Sequence, residues 1–140
     1  MKEIMTRDRL RREVESQGLG EEVDRVLLLA ERVLELKLEE KHTVTVGFRL
    51  RVRGAYKTVF RIGPDYEQTG RAGITFPFHD WPVPENRILE DLRQELLATV
   101  PPLDKGGAKR SVRREITPDS TGDLIAAICI IWRELRRADG

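Results

Sequence analysis

The stretch HTVTVGFRLRVRGAYKTVFRI, residues 42–62, decides the fold. Val44, Val46, Phe48, Leu50 and Val52 alternate with Thr43, Thr45, Gly47, Arg49, Arg51 and Arg53, the two-residue period of a strand with one buried face. A second run, Lys57 to Ile62, sets Thr58, Phe60 and Ile62 on one side and Lys57, Val59 and Arg61 on the other. Between the runs stands Gly54-Ala55-Tyr56. A three-residue loop there pairs Arg53 with Lys57, Val52 with Thr58, Leu50 with Phe60 and Phe48 with Ile62, gathering the apolar sets on one face. A two-residue loop pairing Leu50 with Val59 and Arg49 with Phe60 mixes the faces. The three-residue register is therefore expected, with Arg49, Arg51, Arg53, Lys57 and Arg61 sharing the polar side.

Upstream the period is helical. Thr6 is the expected N-cap, Asp8 falls in the first turn, Leu10 and Val14 are four apart, and Gly18 ends the segment. From Val23 through Val26, Leu27, Ala30, Val33 and Leu34 to Leu38, apolar residues recur at three- and four-residue steps, which predicts one long amphipathic helix over about residues 21–40. Downstream, Ala72 to Phe78 alternates as a third strand, with Pro77 marking an edge or an end. His79 to Pro84 reads as an extended connector. Ile88, Leu89, Leu92, Leu96 and Leu97 mark a helix that stops before Pro101-Pro102, followed by a Gly-containing loop over Leu103 to Lys109. Arg110 to Ile116 is a candidate fourth strand. A last helix opens around Asp119 to Thr121, with Ser120 and Asp123 at capping-box spacing, and carries Leu124, Ile125, Ile128, Ile131, Trp132 and Leu135 on its apolar face.

These elements predict one α+β domain over residues 1–140. It comprises an N-terminal helical hairpin (1–41), antiparallel strands (42–78) and a helix, short strand and helix (85–137). The expected sheet has three to four strands, mainly antiparallel, with the two C-terminal helices on one face. Gly73-Ile74-Thr75-Phe76, the Leu-rich helix, the short strand and the Trp-bearing last helix together resemble small bacterial α+β domains that accompany restriction and nuclease-related proteins. That resemblance implies the fold class and transfers no functional residue.

The 140 residues carry 25 Lys and Arg against 24 Asp and Glu, so no global charge draws the chain to nucleic acid or membrane, and any electrostatic role is local. Met1 to Leu10 lacks an apolar core of signal-peptide length, and no window approaches a membrane span, so a soluble, cytoplasmic protein with no membrane partner is expected. Single Cys129 excludes an intrachain disulfide and a cysteine-built zinc site. The few Asn and Gln and the high charged fraction of mixed sign overlap with heat-adapted proteins, and equally with an Arg-favouring genome.

Catalysis needs a nucleophile, a base and an orienting group that converge. Ser16, Ser111 and Ser120 stand in no nucleophile elbow, and Cys129 sits in the most apolar helix, where burial raises a thiol pKa. His42 and His79 lie at element boundaries without metal-ligand spacing, although His79-Asp80 beside Trp81 and Glu85 is an acid-base fragment. Glu35-Leu36-Lys37 matches the Glu-x-Lys fragment of restriction-type nucleases, but that chemistry needs a strand and the segment reads as helix. No catalytic residue, cofactor or metal is expected.

The strongest constellation is electrostatic. No acidic residue occurs from His42 to Pro64, and a second basic run comprises Lys105, Lys109, Arg110, Arg113 and Arg114. Arg49, Arg51, Arg53, Lys57, Arg61, Lys109, Arg110, Arg113 and Arg114 are the candidate ligand-binding residues, with Tyr56 and Tyr66 as aromatics able to stack on a base or support an Arg plane. Two readings of this face stand open. Either it takes nucleic acid or another polyanion, or its arginines are covered by acidic residues of the chain's own helix 21–40, among them Glu31, Glu35 and Glu39. A protein partner or homo-oligomer, joined through sheet edges or the helical hairpin, is the third class.

Overall fold

In the computed structural model, which describes residues 3–65, 70–78, 81, 85–98 and 111–139, five strands form one antiparallel sheet. β1 (Lys37–Glu39), β2 (Val46–Val52), β3 (Ala55–Gly63), β4 (Gly73–Phe76) and β5 (Val112–Glu115) lie side by side in chain order. Helices flank this sheet in sequence: α1 (Arg7–Glu15) and α2 (Gly20–Leu28) before it, α3 (Arg87–Ala98) between β4 and β5, and α4 (Thr121–Asp139) at the end. The class is the expected α+β, with one strand more than the sequence predicts.

α1 begins where Thr6 accepts a hydrogen bond from the Arg9 amide at 3.2 Å. It closes at Gly18, whose φ of 75° and amide bond to the Glu15 carbonyl, with Leu19 bonding back to Val14, satisfy the last carbonyls. Two forked contacts then lock the helical hairpin, Arg11 to Asp24 of α2 and Arg7 to Glu31 just beyond it.

The expected helix over 21–40 is too long. α2 widens into a π-helical turn at Leu29–Val33 and stops at Glu35, which adopts a left-handed φ of 52°. Leu34, Glu35, Leu36, Lys37, Leu38 and Glu39 also alternate apolar with charged, and in the fold that two-residue period prevails: Leu34 and Leu36 are buried, Val33 is exposed, and 37–39 pairs with β2. Strand β2 in turn starts at Val46 rather than at His42, and Val44 is exposed.

The β2–β3 register also departs from expectation. Val52 pairs with Ala55 across a two-residue turn in which Arg53 (φ 52°) and Gly54 (φ 80°) are both left-handed, as a type I′ turn requires. Its twist matches that of the flanking strands, whereas a three-residue loop serves only to keep the apolar sets on one face. A bulge solves the same problem in another way. Arg49 pairs with Thr58 and Phe48 with Phe60, so Val59 is extra and β3 changes face there. Beyond it Phe48 stacks on Phe60 at 5.1 Å, and Val46 meets Ile62.

Pro77 ends the β4 ladder, and Trp81 is buried edge-on to Phe78 while its indole N–H donates to the Thr58 carbonyl at 2.9 Å. α4 packs across β2 and β3, and α3 packs on α4 and β5. Phe48, Phe60, Ile62, Ile74, Phe76 and Val112 meet Leu124, Ile128 and Ile131 in one buried cluster. The capping pair at the entry to α4 lies three residues earlier than Ser120 and Asp123: Thr117 and Ser120 exchange hydrogen bonds, each side-chain oxygen accepting from the other's amide at 3.0 and 2.9 Å.

Candidate functional site

Pairing through the five strands fixes which side chains share the face opposite the core. One cross-strand row runs Glu39, Gly47, Arg61, Thr75, Arg113, the next runs Lys37, Arg49, Thr58, and a third joins Arg51 to Tyr56. Lys37, Arg49, Arg51, Arg61 and Arg113 therefore lie on one face, drawn from four strands, with Glu39 and Glu115 as its carboxylates. Because the turn is Arg53-Gly54, Lys57 pairs with Leu50 on the core side and leaves the predicted constellation. Arg53 belongs to the turn, not the face. Arg114, paired with Ile74, lines a cavity of about 390 Å³ between α3, α4 and β5 with Glu95 and Asp123. Lys109 and Arg110, like Lys105, Tyr66, His79 and Asp80, lie outside the described residues.

At the β1 edge of the face lies a buried carboxylate. Glu39, 8% exposed, receives Arg49 Nη1 at 3.1 Å and Arg61 Nη1 at 3.3 Å. Lys41 Nζ stands at 3.9 Å and His42 Nε2 at 3.7 Å. Gly47 permits the reach of Arg61, since a Cβ there would sit 3.2 Å from Arg61 Nη1 and 3.4 Å from Glu39 Oε1. Cover by the chain's own acid is thus partly realised, but from strand β1 rather than from a helix. Glu31 is engaged by Arg7, and Glu35 is exposed at the helix end.

Toward the hairpin tip the surface is different. Lys37 Nζ lies 4.8 Å and Arg49 Cζ 4.7 Å from the centroid of the Tyr56 ring. Arg49 Nε is shielded and has no hydrogen-bond partner among the described residues. Arg51, exposed beside Tyr56, has no ion-pair partner among the described residues. Lys37 and Glu39 are the site residues that sequence reasoning misplaced. The alternation of Leu34, Leu36 and Leu38 is the signal that finds them.

Other chemistry is sparse. Burial pushes the Cys129 thiol above its ordinary range. Glu35-Leu36-Lys37 is a turn entering an edge strand and not a helix, and no group of three His, Cys, Asp or Glu side chains among the described residues is placed to hold a metal ion. No helix among them is long and apolar enough to cross a membrane. Comparison with protein-family models, with curated proteins and with solved structures finds no match.

Proposed function

We propose that the chain is a non-catalytic binding module that holds nucleic acid or another polyanion on the sheet face bearing Lys37, Arg49, Arg51, Arg61 and Arg113. One observation carries this reading: a chain with a net charge of +1 gathers five cations and two carboxylates on one face, and Arg51 among them is exposed without an ion-pair partner among the described residues. Like charges on neighbouring strands repel, so an anion that bridges them relieves the repulsion. Guanidinium groups suit this task because their forked donors match phosphate geometry.

The test is Arg51→Glu. An exposed charge swap costs the fold within about 0.5 kcal/mol. Retention on heparin and on single-stranded DNA should drop, and the dependence of binding on salt should flatten, because fewer counterions are released. A variant that melts like the parent and binds both polyanions as before would remove this face from consideration. A concentration-dependent change in size without polyanion binding would instead make the chain an association module.

A further inference from the structure

We infer that the polyanion is a single-stranded nucleic acid, with Tyr56 as the platform on which one of its bases stacks. This rests on the polyanion reading above and adds the class of ligand. Tyr56 is 43% exposed, the only aromatic among the large exposed apolar side chains of the described residues. The two-residue turn sets it opposite Arg51, and the bulge at Val59 lets Arg61 share that face. Lys37 and Arg49 both approach its ring, and both belong to strands on the same side of β3 in the sheet order. The ring is thus gripped from the β1–β2 side. Arg51, exposed, is its direct cross-strand partner, so the two residues are neighbours on this face.

An aromatic face beside cations distinguishes among polyanions. A sulfated polysaccharide or an acidic peptide stretch gains from the cations but has no nucleobase to stack. Duplex bases present their π-faces only to one another, so the ring gains nothing from a double helix unless a base is extruded. An unpaired strand satisfies both demands: phosphates go to Arg51 and its neighbours, and a base lies on Tyr56.

The experiment measures three probes by fluorescence anisotropy or competition: a short labelled oligothymidylate, a duplex of the same length, and heparin. Tyr56→Ala should weaken oligothymidylate binding about tenfold and change heparin binding by less than about twofold, as expected for loss of one base-aromatic stack. Tyr56→Phe keeps the π-face and should bind like the parent. The single strand should outcompete the duplex. If Tyr56→Ala binds oligothymidylate like the parent while Arg51→Glu does not bind, the face acts by charge alone and the single-strand inference is overturned while the polyanion reading stands. Tighter binding of the duplex also overturns it. Failure of the parent to bind any of the three probes overturns the polyanion reading itself.

Discussion

Glu39 decides how the face behaves, because one carboxylate holds two guanidinium groups that an incoming phosphate would otherwise engage. It is mostly buried, whereas Arg49 and Arg61 keep 25% and 23% of their side chains exposed, so the acid is an internal counter-ion that a ligand must compete with or bridge around. Glu39→Gln should therefore lower stability by about 1–2 kcal/mol, the usual consequence of weakening charge-assisted hydrogen bonds at a buried site. Oligothymidylate binding should become tighter. A thermal melt and an anisotropy titration on the same variant check both halves, and weaker binding would mean that Glu39 serves to position the two arginines. His42 extends the cluster. Its imidazole is held below its ordinary pKa chiefly by burial, next by Arg61, with a smaller push from Lys41 and with Glu39 opposing. The unfolded chain then takes up this proton at a higher pH than the folded one. Stability contributed by the neutral ring is complete above the ordinary value of about 6.5 and declines as pH falls from there through the lower folded value. His42→Gln should flatten the melting temperature over that window. A parent whose melting temperature rises on acidification there would contradict this.

At the scale of elements, the strands and helices that pack face to face were legible, and the joints between them were not. Alternation from Val46 to Val52 and the four-residue steps of α1 and α4 each serve one burial requirement, so pattern and structure agree. Residues 34–39 satisfy two periods at once. Leu34 and Leu38 are four apart on a helix and also two steps apart with Leu36 on a strand, and only pairing with Phe48 and Gly47 resolves the choice. The hairpin failed for a related reason. Turn chemistry and facial segregation demanded different loop lengths, and the fold meets both with an Arg53-Gly54 turn and one extra residue at Val59, a bulge that simple alternation does not reveal. Of the candidate site, Arg49, Arg51, Arg61 and Arg113 share a face, whereas Lys57 and Arg114 were displaced by one-residue parity. The entry to α4 shows how local such a joint can be. Thr117 accepts the Ser120 amide through its hydroxyl, and Ser120 returns the bond, so the helix carrying much of the core hangs on a four-residue motif. Thr117→Val preserves shape and removes that acceptor, and should cost about 1 kcal/mol of stability. Denaturant unfolding would show it as a lower midpoint at unchanged slope, and an unchanged midpoint would relieve Thr117 of this role.

On the scale of the whole molecule, near-neutral net charge conceals segregation. In the helical hairpin Arg11 pairs with Glu15 and Asp24 and Arg7 with Glu31, contacts that tie it together, while the sheet face retains cations in excess of its acids. These two populations respond differently to solution conditions. Exposed ion pairs contribute little each and weaken gradually with salt, so sodium chloride alone should move the melting temperature only slightly. A ligand that binds the folded sheet and not the unfolded chain stabilises it by mass action, about 2.7 kcal/mol at a hundred times the dissociation constant. For a domain of this size that is a rise of roughly 5–15 °C. The rise should appear with oligothymidylate at low salt, shrink steeply as salt competes for the arginines, and be absent in Arg51→Glu. The opposite pattern is equally informative. If oligothymidylate raised the melting temperature of Arg51→Glu as much as that of the parent, the stabilising contact would lie elsewhere, and the segregation of charge would serve the packing of the hairpin alone.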